Sequence, residues 1–315
     1  MSDMSLLVAE METLADGVTS AVLVDPAGGD LPAWEPGAHV AVTLPSGLVR
    51  QWSLCGDPVD RRRYRIAVLR VADGRGGSVE FHDAGLHGRT VQVRPPRNDF
   101  VLVPSARYLF VAGGIGITPI RPMVAAARRR GADWSLVYGG RRRAAMAFCA
   151  ELDGPAGTEI VPEDERGPID VAGVVGAAQA GTEVYCCGPA GLIDAVRAAC
   201  ADRPDLGGLH VERFAAPDGP SEVDGGCGFE VECARSGAVL RIGPGESILD
   251  AVLEQVDPAH DFGCTEGYCG SCETKVLGGV PEHRDHVLSD EERAGNDTMM
   301  ICVGRSRTPR LVLDL

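Results

Sequence analysis

Four cysteines near the C-terminus constrain this chain more than any other feature. Cys264, Cys269 and Cys272 follow a C-x4-C-x2-C spacing, and Cys302 stands well downstream of them. This is the ligand spacing of a plant-type [2Fe–2S] cluster. A glycine inside the loop, such as Gly267, lowers the steric cost of wrapping backbone around an inorganic core, because glycine tolerates positive φ. The spacing therefore predicts a cluster site and one-electron chemistry.

Zinc and disulfides are the two alternatives for these cysteines. Zinc knuckles usually use two C-x2-C pairs, so the triplet fits zinc poorly, although zinc stays open. A disulfide framework requires a secreted chain. Residues 1–30 show no basic n-region, long apolar core or cleavage motif, and no uninterrupted apolar run approaches the ~18 residues of a membrane span. We therefore expect a cytoplasmic protein without membrane contact, in which structural disulfides are uncommon.

Length and charge bound the remaining possibilities. A chain of 315 residues can form two or three domains with separate cores. Its formal net charge of −15 argues against nucleic acid as a partner, because nucleic-acid binding requires basic patches.

The sequence pattern changes character several times. Residues 1–105 contain short alternating apolar runs between Pro/Gly turns, which favours a small antiparallel barrel. Residues 106–214 alternate apolar strands with helical stretches, which is typical of a parallel sheet covered by helices. Residues 215–226 are polar and turn-rich, as in a linker. Residues 227–315 start with a hairpin pattern, followed by a helix with Ser247 at its N-cap and then the cysteine loop.

Two glycine-rich segments mark the expected nucleotide domain. Residues 110–119, FVAGGIGITP, follow its first strand, and residues 187–192, CGPAGL, follow a later one. Glycines let backbone approach a pyrophosphate, and the helix after them directs N–H groups towards the anion. The first segment is not a G-x-G-x-x-G fingerprint, so a structural turn is the alternative. Because both segments follow parallel strands, we expect them at the carboxyl edge of one sheet, where ligands bind.

Two segments of the expected barrel fit a flavin. Residues 50–54, RQWSL, combine a cation, an aromatic ring and a hydroxyl on one strand. Period-two alternation places Arg50 and Trp52 on one face and Gln51 and Ser53 on the other. The later loop 74–78, GRGGS, offers backbone N–H groups and a hydroxyl to a phosphate. Each segment alone also fits ordinary barrel surface.

These motifs occur in the order found in the phthalate dioxygenase reductase family, which includes vanillate O-demethylase reductases. The chain resembles that family over essentially its whole length, and Val276-Leu-Gly-Gly and His283-Arg-Asp add to the resemblance. It implies a multidomain β + α/β + α+β architecture, with an antiparallel flavin-binding barrel, a Rossmann-like NAD-binding domain and a C-terminal β-grasp plant-type ferredoxin domain. It also implies FMN and NADH as cofactors beside the [2Fe–2S] cluster.

The resemblance assigns site residues by their matching positions. The flavin residues would be Arg50, Trp52, Ser53, Val68, Leu69, Gly76, Gly77, Ser78, Thr118 and Phe214. The NAD residues would be Gly113, Gly114, Gly116, Pro119, Arg141, Cys187, Gly188 and Pro189. The metal ligands would be the four cysteines of the cluster motif. Trp52 replaces the tyrosine usual in the family, and an indole can still stack on a flavin ring. No residue is assigned as a catalytic acid or base, although Thr118 and Cys187 would lie near the nicotinamide and flavin.

The implied activity is that of an NADH-dependent flavin/iron–sulfur reductase. It would pass hydride from NADH to FMN and single electrons through the cluster to a Rieske-type aromatic oxygenase or O-demethylase, docked transiently. Alternatives are a haem-thiolate monooxygenase as the acceptor, or an electron carrier with a degenerate flavin site. Arg141, Arg142 and Arg143 stand where the family contacts the adenosine ribose, and they could pair with a 2′-phosphate and favour NADPH or form the solvated start of a helix. We expect a monomer, because each domain can close its own core.

Overall fold

The computed structural model describes residues 3–154, 156–214, 228–258, 260, 262–265, 267–268 and 270–315. The chain forms two compact units, Met1–Glu212 and Arg213–Leu315. Among the described helices none combines the length and the apolar character that crossing a bilayer requires. The expected domain boundaries after residues 105 and 214 stay predictions, and the expected linker at 215–226 lies outside the described residues.

The first unit begins with a six-stranded antiparallel sheet in the order β4-β3-β6-β1-β2-β5. Its strands are β1 Met4–Ala15, β2 Val18–Val24, β3 His39–Thr43, β4 Val49–Ser53, β5 Arg63–Leu69 and β6 Thr90–Val93. An antiparallel bridge between Leu54 and Ile66 joins the two edge strands and closes the sheet into a barrel. Val40, Val42 and Ile66 are almost fully buried in its core. The predicted flavin-type barrel is confirmed.

One short helix, α1 Gly77–Asp83, connects β5 to β6. The sequence predicts a loop over residues 74–78, but the helix begins inside that stretch. Glycine-rich sequence disfavours a helix, so tertiary contacts stabilise this one. Phe81 is buried in the barrel core, and the Glu80 carboxylate accepts hydrogen bonds from the backbone N–H of Ser46 at 2.7 Å and from its hydroxyl.

The same unit contains a parallel sheet in the order β11-β10-β7-β8-β9. Its strands are β7 Arg107–Gly113, β8 Asp133–Gly140, β9 Thr158–Pro162, β10 Glu183–Cys187 and β11 Gly208–Glu212. The helices between them are α2 Ile117–Arg129, α3 Cys149–Leu152, α4 Glu163–Arg166, α5 Val171–Gly176 and α6 Ala190–Ala201. This is the parallel sheet covered by helices that the alternating pattern predicts, and the Rossmann-like arrangement that the resemblance implies. The long apolar strand β7 lies at its centre, so its carboxyl end is flanked by β8 and β10.

The second unit is a mixed five-stranded sheet in the order β13-β12-β18-β14-β16, with a separate β15–β17 pair. The strands are β12 Phe229–Cys233, β13 Val239–Ile242, β14 Glu273–Gly278, β15 Pro281–Glu282, β16 Thr298–Met300, β17 Arg305–Ser306 and β18 Arg310–Leu313. The helices are α7 Ile248–Gln255 and α8 Asp290–Gly295. Ser247 caps α7 by accepting a hydrogen bond from the Asp250 N–H, as predicted. The parallel pairing of β12 with β18 completes the β-grasp ferredoxin fold.

Candidate functional site

The cluster loop follows α7 in the second unit. Cys264, Cys272 and Cys302 are all buried. Hydrogen bonds with Cys264 and Cys272 raise the pKa of the Cys302 thiol, and the contact with Cys302 lowers the pKa of Cys272. These bonds bring three predicted ligands together. The fourth, Cys269, lies outside the described residues, and the residues that are described contain no complete group of metal ligands by themselves.

The backbone around the three sulfurs suits a thiolate-bound cluster. The Tyr268 N–H donates to the Cys264 sulfur over 3.4 Å, and N–H···S bonds of this kind tune cluster potentials. Gly267 has a φ of +72°, and a Cβ there would lie 2.6 Å from a methyl carbon of Val303. The loop therefore packs directly against the segment that carries Cys302. Residues 299 and 300 of the strand predicted for residues 299–303 belong to β16, whereas residues 301–303, which include Cys302, form the turn after it.

Asp285 packs against the same loop at Gly267. It is buried, and one carboxylate oxygen accepts hydrogen bonds from the N–H groups of Val287 at 3.1 Å and Leu288 at 2.9 Å. The neighbouring His286 N–H donates to the Gly267 carbonyl over 2.7 Å. In the sequence the His-Arg-Asp motif is only a point of resemblance. In the structure His286, the residue after the motif, holds the cysteine loop at Gly267.

The expected flavin residues of the barrel lie where β4 meets α1. The Arg50 guanidinium donates to the carbonyls of Arg75 at 2.7 Å and Val49 at 2.8 Å. It lies directly over Gly77, where any Cβ would collide with it. Gly76 precedes the helix with a φ of +77°. Arg50 is therefore held at the first turn of α1.

The remaining barrel candidates have distinct surroundings. The Trp52 ring packs on Phe81 with ring centroids 4.9 Å apart and planes at 60°. Ser53 is buried, and the Ser78 hydroxyl accepts a hydrogen bond from the Val71 N–H over 3.1 Å. The structure thus brings the RQWS strand and the Gly-Gly-Ser segment together. The side chain of Val68 belongs to the barrel core, and Leu69 is half-buried.

Both glycine-rich segments meet at the carboxyl edge of the parallel sheet, as the sequence predicts. Strands β7 and β10 are neighbours, with Cys187 opposite Ala112. A Cβ on Gly113 would lie 2.6 Å from Pro189, and a Cβ on Gly116 would collide with the Cys187 carbonyl. These two glycines are therefore required for loop-to-loop packing, whereas the sequence pattern assigns all three glycines to the approach of a pyrophosphate.

Gly114 is the glycine of this segment that faces open space. Its φ is +54°, and a Cβ there would have no heavy atom within 4 Å. Residues 114–116 form a 3₁₀ turn, and α2 starts immediately afterwards. Thr118 is buried in the first turn of α2, where its hydroxyl donates to the Ile115 carbonyl over 2.9 Å. The open side at Gly114 and the N-terminus of α2 together form a surface that suits a dinucleotide phosphate.

Glu212 is a site residue that sequence reasoning missed. It ends β11, and its carboxylate oxygen lies 4.0 Å from the Cys187 sulfur. Burial, assisted by the negative charge of Asp99, raises the pKa of Glu212 to about 8. Burial and the Glu212 charge in turn raise the pKa of Cys187. Its position at the carboxyl end of a parallel strand was the available signal. A carboxyl group that keeps its proton near neutrality therefore lies at the nucleotide edge.

Glu212 should give the protein a specific pH dependence. Its pKa rises from the ordinary 4.5 in the unfolded chain to about 8 in the folded one, so between these values only the folded chain keeps the proton. The free energy of unfolding therefore falls as pH rises through this window. Glu212→Gln should remove that loss. In calorimetry, the free energy of unfolding of the variant minus that of wild type should increase by on the order of 1–3 kcal/mol between about pH 5.5 and 9. Exposed Glu159→Gln is the control, and a gap independent of pH would contradict the assignment.

Two of the three arginines near the expected adenosine site already form ion pairs with carboxylates. Arg143 pairs with Glu165 at 3.2 Å and with Asp153 at 3.3 Å. Arg142 lies 3.5 Å from Asp16. Arg141 is exposed, beside the acidic helix α4. Acidic neighbours disfavour a 2′-phosphate, so this arrangement supports NADH over NADPH.

Phe214 belongs to the second unit. Its side chain is exposed, and its carbonyl accepts a hydrogen bond from the Tyr268 hydroxyl over 3.0 Å. The expected proximity of Phe214 to the flavin stays a prediction.

Comparison with known proteins agrees with this arrangement. Residues 231–306 match the family model described as a 2Fe-2S iron–sulfur cluster binding domain. The chain is 42% identical to the phenoxybenzoate dioxygenase subunit beta of Ectopseudomonas oleovorans, covering 100% of this chain and 98% of that protein. A solved phthalate dioxygenase reductase, described as a modular structure for electron transfer from pyridine nucleotides to [2Fe–2S], superposes with a TM-score of 0.78 at 36% identity, over 100% of this chain and 98% of the other.

A longer protein matches as well. An intact type IV self-sufficient cytochrome P450 monooxygenase superposes with a TM-score of 0.84 at 38% identity. The match covers 99% of this chain but only 41% of the P450 protein.

Proposed function

Because this chain belongs to the phthalate dioxygenase reductase family, we propose that it delivers electrons from NADH to a terminal oxygenase protein. It is a flavin/iron–sulfur reductase of an oxygenase system. The observation that carries the proposal is the set of three buried cysteine sulfurs in a ferredoxin fold, in the same chain as a flavin-type barrel and a nucleotide-type sheet. A carrier with a degenerate flavin site fits less well, because the barrel keeps its arginine and glycine segments.

The cofactors are FMN, NADH and a [2Fe–2S] cluster. When bound, they supply hydride acceptance and one-electron release, while the protein sets their positions and potentials. Arg50 and the N–H groups at Gly76 and Gly77 would hold the flavin phosphate, and Trp52 would flank the ring. The loop at Gly114 would hold the dinucleotide.

The proposed neighbourhood of the nicotinamide contains two buried residues, Thr118 and Cys187, and the half-buried Glu212. Thr118 in the first turn of α2 and Cys187 at the end of β10 are both buried at the sheet edge where the two glycine-rich segments meet. Glu212 holds a proton on its carboxyl group up to about pH 8, because burial raises its pKa to that value. None of these residues needs to act as a general base, since the reacting bonds belong to the cofactors. In the second unit, Cys264, Cys269 and Cys272 of the cluster loop would bind iron together with Cys302.

The terminal partner is an oxygenase, and its type is the finer part of the proposal. A Rieske-type aromatic oxygenase is our first candidate, since phthalate and phenoxybenzoate dioxygenase components are among the full-length relatives. The similarity to a P450 protein supports a haem-thiolate monooxygenase as second candidate. We further propose that docking is transient, that the chain is monomeric and that it acts in the cytoplasm.

The whole proposal is tested on anaerobically purified protein. We expect a flavin absorbance spectrum, two iron atoms and two sulfides in each chain, and NADH-dependent reduction of cytochrome c. A protein containing zinc without iron or sulfide would contradict electron transfer through the cluster. Iron and sulfide without flavin, together with no response to NADH, would favour the carrier instead.

The dinucleotide loop gives a sharper prediction. Gly114→Ala places a methyl group in the open space beside the loop, and Gly131→Ala is its matched control. Both positions have positive φ, +54° and +66°, and neither Cβ would have a neighbour within 4 Å. Both variants should lose about 1 kcal/mol of stability from backbone strain. The Gly114 variant alone should raise KM for NADH by roughly tenfold, the loss of about 1.4 kcal/mol of binding. Equal KM values for NADH in both variants would show that Gly114 does not contribute to NADH binding.

A further inference from the structure

Arg121 crosses from the nucleotide sheet to the barrel. It lies one turn after Thr118 on α2, and its side chain is only 19% exposed. One terminal nitrogen donates to the backbone carbonyl of Cys55 in the barrel. The Nε atom donates to Glu151 over 2.8 Å, and the second terminal nitrogen contacts the same carboxylate. The guanidinium is therefore held by Cys55 of the barrel on one side and by Glu151 on the other, so Arg121 connects the two parts of this unit.

An aromatic ring, that of Phe148, packs against the same arginine. The Arg121 guanidinium carbon lies 5.1 Å from the centre of the Phe148 ring, and that of Arg65 lies 5.2 Å from the same centre. Cys55 is itself bound to Arg65, because its N–H donates to the Arg65 carbonyl over 2.8 Å. Phe148 has a φ of +63°, an unfavourable conformation for an aromatic residue. Such strain persists only where the surrounding contacts determine the conformation.

The contact between Arg121 and Cys55 lies between the two segments that the proposed function assigns to the flavin and the nicotinamide. Cys55 is two residues beyond Ser53 of the flavin strand, and Arg121 is three residues beyond Thr118 of the nucleotide loop. We propose that Arg121 is a positioning residue that fixes the flavin strand against the nucleotide loop, so that hydride transfer occurs at the correct separation. This inference rests on the proposed function. A misplacement of about 1 Å between reacting groups can cost roughly 100-fold in rate.

The chain offers a matched control on the same helix. Arg129, in the last turn of α2, pairs with Asp57 of the barrel over 3.1 Å. This pair also joins helix to barrel, two residues beyond Cys55. It is exposed, at 44% for Arg129 and 56% for Asp57, and contacts no aromatic ring in the described part of the chain. Exposed pairs contribute little to stability. Arg129 is also three turns away from Thr118, so its loss should not move the loop.

The test compares Arg121→Met, Arg121→Lys and Arg129→Met in full-length, cofactor-loaded protein. Flavin reduction by NADH is followed by stopped-flow absorbance over a range of NADH concentrations. In Arg121→Met we expect the limiting rate constant to fall by tenfold or more, the order expected for misplaced reacting groups. The NADH concentration at half-maximal rate should change less than threefold, close to the usual spread for independent sites. Lysine should restore part of the rate, and Arg129→Met should match wild type.

Each outcome decides between the inference and its premise. If NADH fails to reduce the flavin of the wild-type protein, the proposed function is wrong. If wild type reacts and Arg121→Met reacts equally fast, the positioning role is wrong. If Arg121→Met loses flavin or precipitates, Glu151→Leu replaces it, because leucine removes the oxygen that accepts from the Nε atom and from one terminal nitrogen of Arg121. A slower limiting rate in that variant supports the inference, and an unchanged rate overturns it.

Discussion

Cys272→Ser should abolish NADH-dependent cytochrome c reduction while ferricyanide reduction continues near the wild-type rate. Cys272 is buried and hydrogen-bonded to Cys302, immediately before β14. Replacing a soft thiolate by a hard hydroxyl removes a ligand that iron–sulfur clusters require. Ferricyanide can accept electrons from the flavin directly, whereas delivery to cytochrome c is expected to pass through the cluster. The cytochrome c activity should fall at least ~100-fold, the upper range for damaged metal sites.

Cys233→Ser is the matched control for this prediction. Cys233 is also buried in the second unit, at the end of β12, and burial raises the pKa of its thiol. It stands outside the C-x4-C-x2-C…C spacing, so iron and sulfide content and both activities should stay at wild-type levels. Circular dichroism checks that the two variants fold. Cytochrome c reduction that survives in a folded Cys272→Ser protein would place electron delivery elsewhere. Loss of both activities with full flavin content would show that the flavin also depends on the cluster.

The elements that sequence predicted well are those set by local pattern. Short apolar runs indicated strands such as β3 and β7, and Ser247 marked the start of α7, because caps and apolar patterns act within a few residues. Helix α1 has no such signal, since Gly76 and Gly77 disfavour a helix. It forms because Phe81 enters the barrel core and Glu80 binds Ser46, both of which depend on the folded barrel.

The candidate sites divide along the same line. The cysteine spacing and the two glycine segments are local motifs, and the structure brings the described members of each together. Sequence patterns did not predict Glu212 and Arg121 as site residues, because their chemistry depends on partners that are distant in the sequence. The raised pKa of Glu212 requires burial beside Asp99, and Arg121 would be an ordinary surface cation without the Cys55 carbonyl. Sequence patterns therefore identified the cofactors, whereas the residues that position them required the fold.

Arg50→Met should weaken FMN binding and thereby lower both electron-transfer activities together. The Arg50 guanidinium lies over Gly77 at the first turn of α1, held by the Arg75 and Val49 carbonyls. A charge-assisted hydrogen bond to a phosphate contributes about 1.5–3 kcal/mol, so the Kd for FMN should rise roughly 10–100-fold. Methionine keeps much of the length and apolar contact of the arginine chain without its charge. Binding is measured by titrating deflavinated protein with FMN and following flavin fluorescence.

Arg70→Met distinguishes this role from a general effect on the barrel. Arg70 pairs with Asp83 over 2.8 Å at the other end of α1, and the pair is exposed, at 40% and 59%. Its loss should change stability by less than about 1 kcal/mol and leave the Kd for FMN unchanged. Excess FMN should restore ferricyanide and cytochrome c reduction in Arg50→Met, because only the occupancy of the site has changed. If saturating FMN restores neither activity, Arg50 orients the flavin ring as well as holding its phosphate. If both arginine variants bind FMN like wild type, the phosphate lies elsewhere in the barrel.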